Sequence, residues 1–230
     1  MSGIQVTTLA NGIRVVSDTM PTVETVSIGI WIKAGARFES TEVNGVAHLL
    51  EHMMFKGTMR RSSQEIAEKI ENVGGHINAY TAREVTAYYA KVLKDDAALA
   101  LDVIADFLQN SLFDEDELGR ERSVVLQEIG QAQDSPDDVV FDNFQAVAYP
   151  DQALGRPVLG QPEVIRKVPR DAIVEFHGRH YQGGSMVLAA AGNITHASLV
   201  ALGEEHLSAV QAGDAPVLPA ALYMGGESRE

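Results

Sequence analysis

The sequence predicts an α+β fold, a largely antiparallel sheet covered by helices. Three observations carry this. Val26, Ile28, Ile30 and Ile32 hold strict period two, with Ser27, Gly29, Trp31 and Lys33 opposite, which describes a strand with one buried face. Asn11-Gly12 is a tight-turn signal between Ile4, Val6 and Thr8 on one side and residues 13–17 on the other, so the chain opens on a hairpin. After these come several helices interrupted by strands, then one strand and one helix, an order of the α+β type.

The elements follow in sequence. Asn44-Gly45 can cap a helix over residues 46–55, and Lys56-Gly57 ends it. Ser62 and Glu65 form a capping box for a second helix that stops at Gly74-Gly75. Residues 76–80 and 86–93 read as two strands. Residues 95–110 and 118–133 read as amphipathic helices, and Pro136 introduces a third over 137–147. Residues 151–162, with Gly155, Pro157, Gly160 and Pro162, read as a loop. A helix (170–181), a strand (185–192) and a helix (195–211) complete residues 1–215 as one domain. Residues 216–230 read as a linker or tail, from Pro216, Pro219, Gly225-Gly226 and the polar end.

Composition narrows the chemistry. The 230 residues include no cysteine, which removes disulfides, thiol catalysis and thiolate metal sites. Any metal must be held by His, Asp, Glu or backbone oxygen. Eighteen Lys and Arg against thirty-two Asp and Glu leave a net charge of −14, which argues against nucleic acid as a partner. No basic region followed by an apolar run opens the chain, and residues 186–192, its longest apolar stretch, are too short to span a bilayer. No membrane association is expected.

The segment that carries chemistry is His48-Leu49-Leu50-Glu51-His52. On a helix, residues three and four apart share a face, so His48, Glu51 and His52 point together. Two imidazoles at i and i+4 can chelate one Zn²⁺, with the carboxylate beside the open position where a water would sit. H-x-x-E-H is the inverzincin order of this motif. Histidines capping the edge of a core are the plainer account of the same spacing. A catalytic zinc needs a third protein ligand. Glu121 and Glu128 lie two helical turns apart on one face, near apolar Val124, Val125 and Leu126. Spacing alone does not choose between a ligand and a salt bridge or exposed position for Glu128.

The run from Gly45 through His48, Glu51 and His52 to Phe55-Lys56-Gly57-Thr58 resembles the core motif of the M16, or pitrilysin-type, metallopeptidases, close to the processing-peptidase branch. Asn11-Gly12, residues 35–39, Asn78-Ala79-Tyr80-Thr81 and Gly225-Gly226-Glu227 match that family's pattern at the expected places. The resemblance implies a processing-peptidase-like metallohydrolase half. It implies one zinc per chain on His48, His52 and Glu128, since the family's third ligand is a glutamate about 76 residues past the second histidine. Glu51 would be the general base, and Glu121 would support the site without being a regular ligand, either orienting His52 or holding charge beside the metal. Asn78, Ala79 and Tyr80 would lie on a substrate-facing edge strand, and Phe55 would line a side-chain pocket, although an aromatic at a helix end also suits the core.

The same resemblance implies two homologous halves per functional unit, of which this chain holds the zinc-binding one. Expected partners are therefore a peptide substrate and a second half, on the same or a separate chain, or a second copy of this one. The expected function is a zinc-dependent endopeptidase acting on peptides or unfolded segments. A peptide-binding or scaffold subunit of the same fold without turnover is the alternative. The expected location is the cytoplasm, of a bacterium, with the mitochondrial matrix after removal of a transit peptide as the other possibility. His177, His180, His196 and His206 are expected to be structural, and Asp114 with Glu115 to Glu117 to be a solvated helix start.

Overall fold

The computed structural model describes residues 3–225. Six strands, β1 (Gln5–Thr8), β2 (Arg14–Thr19), β3 (Thr25–Ile32), β4 (His76–Thr81), β5 (Thr86–Leu93) and β6 (Met186–Gly192), form one sheet in the order β1-β2-β6-β3-β5-β4. Every neighbouring pair is antiparallel except β2 with β6. Among the described residues eight α-helices accompany it: α1 (Val46–Met54), α2 (Ser63–Glu71), α3 (Ala97–Asn110), α4 (Glu115–Gln133), α5 (Pro136–Ala148), α6 (Pro162–Ile165), α7 (Arg170–His180) and α8 (His196–Leu207). The expected α+β architecture is present.

The alternation in β3 works as read. Val26, Ile28, Ile30 and Ile32 are fully buried and belong to the core, where α3 packs on β3 and β5. Burying each such side chain contributes about 1.5–3 kcal/mol. On β2, α8 covers the same face, and His196 at its start bridges Thr7 Oγ1 and Ser17 Oγ at 2.8 Å each. The opposite face of the sheet carries Arg14, Ser27, Lys91 and Ala191, all exposed, with Trp31 and Tyr89 half-buried among them. Edge strand β4 meets α1 and α2, and α1 is wedged between β4, α4 and α7.

Differences from the expected boundaries have local causes. The Asp114 side chain accepts from the backbone N–H groups of Asp116 and Glu117, so α4 begins before Leu118. The expected loop 151–162 holds a 3₁₀ turn (Ala153–Gly155), and Pro162 starts α6 as its first residue. The capping box of Ser62 and Glu65 is formed. Residues 216–225 contain no helix or strand, yet they are fastened to the body. Gln152 exchanges two hydrogen bonds with the backbone of Leu222, and Met224 N–H donates to Ala148 C=O at 2.8 Å. Gly226 and Glu227 of the Gly-Gly-Glu motif lie outside the described residues. Among the described residues, no helix is long and apolar enough to cross a membrane.

Candidate metal centre and groove

Helix α1 is divided by its spacing. Val46, Ala47, Leu49, Leu50, Met53 and Met54 are fully buried, while His48, Glu51 and His52 share a half-buried face. Leu49 and Leu50 both enter the core, so the ligand-type face is fixed by burial of its neighbours.

The start of α1 is held from outside. Gly45 caps it at φ +97°, in the left-handed region, where a Cβ would lie 2.5 Å from Ile165 Cδ1 and 2.8 Å from the Leu159 carbonyl. Glu39 is buried behind this turn. Its carboxylate accepts from Gly45 N–H, Ala47 N–H and Asn44 Nδ2, each at 2.8 Å. These bonds satisfy two of the helix's free N–H groups with a negative charge at its positive end. Burial nonetheless pushes the Glu39 carboxyl up to about 7, against those donors and Arg156.

Helix α4 brings two glutamates to α1. Glu128 Oε2 lies 3.6 Å from His48 Nε2 and 3.5 Å from His52 Nε2, and one ligand atom from each of these three residues lies within 4.8 Å of the others. Four ligands placed tetrahedrally at zinc distances of about 2.0–2.1 Å would be about 3.4 Å apart, so the spacing of this donor set fits zinc. Burial, with His52 beside it, pushes His48 down to about 3, which leaves its imidazole neutral and able to bind a metal. His48 Nδ1 is buried and takes no hydrogen bond among the described residues. His52 is oriented differently. Its Nδ1 is 2.9 Å from Oε2 of buried Glu121, whose Oε1 pairs with Lys56 Nζ at 2.6 Å.

Glu51 faces the same space. Burial raises its pKa, while a hydrogen bond from Thr81 Oγ1 to Oε2 and the proximity of His52 oppose that shift. His48, Glu51, Ala79, Tyr80 and Thr81 line a groove of about 500 Å³ whose far wall includes Phe141 of α5. Asn78 is exposed on β4, its side chain accepting from Ala79 N–H at 2.8 Å, and does not line the groove. Phe55 sits at the end of α1 between Phe107 and Tyr88, with ring centroids 5.1 and 6.2 Å away, in contact with the core rather than the groove.

Five participants were not singled out from the sequence. Thr81, Lys56 and Glu39 all lie inside quoted motif segments, yet nothing local tells which of a segment's residues bonds a distant carboxylate. Asp138 and Asp142 line the groove from α5, with Asp142 paired to Arg83 Nη2 at 2.8 Å. Their only local signal is position in the acidic first turns of a helix. The histidines read as structural behave so: His177 Nε2 bonds Leu108 C=O at 2.8 Å, and His180 packs on Phe38 and Phe176.

Fold and site together define an α+β domain that sets two histidines and a glutamate where they could hold a metal ion, beside an edge strand of the sheet. Comparison with known proteins says which family builds it. The profile described as Insulinase (Peptidase family M16) matches residues 14–162, and the one described as Peptidase M16 inactive domain matches 167–227. The chain belongs to peptidase family M16. It is 41% identical over 96% of its length to an uncharacterized zinc protease of Rickettsia felis, covering 53% of that protein. It is 44% identical over 98% of its length to the mitochondrial-processing peptidase subunit beta of Rattus norvegicus, covering 46% of it. A protease from Helicobacter pylori superposes with a TM-score of 0.89 at 25% identity, over 96% of this chain and 54% of that one. The chain thus spans about half the length of these relatives. The boundary between the two profiles is not a break in the fold, because β6, in the second, pairs with β2 and β3, in the first.

Proposed function

We propose that the chain is the zinc-binding half of a zinc-dependent endopeptidase acting on extended peptides or unfolded segments. The observation that carries this reading is the convergence of His48 Nε2, His52 Nε2 and Glu128 Oε2 at zinc-compatible spacing, with the Glu51 carboxylate facing the same groove. His48, His52 and Glu128 hold one zinc per chain. When bound, zinc supplies Lewis acidity, polarising the scissile carbonyl and making water a better acid.

The chain's own residues do the rest. Glu51 takes a proton from the attacking water and returns it to the leaving nitrogen, and the hydrogen bond from Thr81 Oγ1 to its Oε2 fixes the carboxylate for that exchange. The raised pKa of Glu51 suits both halves of that exchange. Glu121 holds His52 through Nδ1, which keeps Nε2 directed at the metal, and Lys56 balances the charge of Glu121. The free edge of β4, at Asn78, Ala79 and Tyr80, pairs with the peptide backbone, which holds a chain with little demand on its sequence. Asp138 favours basic side chains on the groove's far wall, where Asp142 is already paired with Arg83.

A second homologous half, on the same or another chain, completes the unit. The coverage of about half of each relative, one of them named as a subunit, supports this. For location we propose a bacterial cytoplasm, with the mitochondrial matrix second; the relatives include bacterial and mitochondrial proteins.

The match of residues 167–227 to a profile described as inactive favours a second reading, a peptide-binding subunit without turnover. The metal-type residues lie at 48–128, outside that segment. Glu51→Gln separates the readings. Assayed with the second half present, it should retain zinc and lose cleavage by about 10²–10⁴-fold. Peptide binding indifferent to chelators, with no cleavage by the parent protein, would favour the subunit.

A further inference from the structure

We propose that Trp31, Tyr80 and Tyr89, on the open face of the sheet, form a second contact for the peptide and take its large apolar side chains that point away from α1. This rests on the reading that an extended peptide pairs with β4.

The cluster is built by cross-strand register. Tyr80 on β4 lies opposite Ala87 on β5, and Ala87 opposite Trp31 on β3, so all three share one row. Tyr89 lies in the next row between Asn78 and Gly29. The rings of Trp31 and Tyr89 stack at 14° with centroids 6.5 Å apart, and Tyr80 meets Tyr89 edge-on at 6.3 Å. Trp31 Nε1 donates to Tyr80 Oη at 3.2 Å. Ala87, between Trp31 and Tyr80, is fully buried although it belongs to the open face. A Cβ at Gly29 would lie 2.6 Å from Tyr89 Cβ, so only glycine lets Tyr89 occupy its place. The small residues are a floor and the rings a surface above it.

Scattered exposed aromatics need no explanation, but three in mutual contact on a face without a helix layer do. Continuity with the groove identifies the occupant. Tyr80 lines the groove with His48 and Glu51 and is bonded to Trp31 on its other flank. Along β4, Ile77, Ala79 and Thr81 are half-buried toward the helices while His76, Asn78 and Tyr80 are exposed on the open face. A strand added to that edge must alternate in the same way. Side chains at alternate positions then face the metal-ligating helix, and those between them come beside Tyr80 and the rings behind it. Aliphatic and aromatic side chains at these positions bury area there; small polar ones do not.

Trp31 is the chain's single tryptophan, so its emission reports on this surface directly. The experiment uses the full chain as Glu51→Gln with zinc, titrated with peptides of Gly, Ser and Ala carrying one Phe moved a position at a time. Affinity should alternate with Phe position, and the better-binding series should shift or quench Trp31 emission. Tyr89→Ala should weaken the best Phe peptide about fivefold and leave its Phe→Ser counterpart unchanged, a coupling that general structural damage would not produce. If Tyr89→Ala fails to fold by circular dichroism, Trp31→Ala on β3 gives the same affinity cycle, read without the emission signal. Peptides that bind, and that the parent protein cleaves with its second half present, but without alternation, emission change or coupling, would overturn this contact while sparing the peptidase reading. Absence of both binding and cleavage would overturn both.

Discussion

Glu121 and Glu128 are the same residue type on one face of α4, yet their surroundings give them different tasks. Glu128 presents an oxygen to both imidazole Nε2 atoms, whereas Glu121 is buried against His52 Nδ1 and Lys56. Glu121→Gln should therefore retain zinc with about 10–100-fold weaker affinity, measured by competition with a chelator, because it removes an orienting partner and not a ligand. Glu39 makes a separate prediction. Its carboxyl is raised from 4.5 to about 7, so the fold favours the protonated form. The stability this group contributes is complete below about pH 4.5 and is lost as pH rises through about 7. Denaturation of parent and Glu39→Gln across that window should show the parent losing about 3 kcal/mol relative to the variant, then holding level above it. A difference that does not vary with pH would contradict this. Residue identities such as His48, Glu51 and His52 were legible because their spacing is local. Lys56, Thr81 and Glu39 were not, since each role depends on a partner 30 or 65 residues away, or on backbone N–H groups that no side-chain pattern displays.

At the scale of elements, α1 is positioned at both ends. Glu39 and Gly45 hold its start, and the pair of Lys56 with Glu121 ties its end to α4. Gly45→Ala combines a left-handed φ with contacts of 2.5–2.9 Å to Ile165, Leu159 and Gly160. It should destabilise the protein by about 2 kcal/mol or more by denaturant unfolding, with loss of zinc affinity, because the start of α1 must move. Full stability in that variant would show that the turn yields freely. Strands and long helices were legible because period two and period 3.6 survive in the sequence, as in residues 26–32 and 97–110. The short α6 was not, since four residues carry no period. The sheet order was also hidden, as β6 enters between β2 and β3 through contacts more than 150 residues apart.

For the molecule as a whole, membership of peptidase family M16 and coverage of about half of each relative frame what one chain can do. The sheet's helix-covered face supplies the core, its β4 edge borders the groove, and its other face carries the aromatic surface. Every proposed zinc ligand lies on α1 or α4, so metal binding is expected to need only this chain, and efficient cleavage to need the second half. The most direct test is anomalous diffraction at the zinc edge from crystals of this chain grown with zinc. One peak per chain, bonded to His48 Nε2, His52 Nε2 and a Glu128 carboxylate oxygen and absent in Glu128→Gln, is the predicted result. A folded chain with no peak between α1 and α4, or with zinc held by other residues, would contradict it.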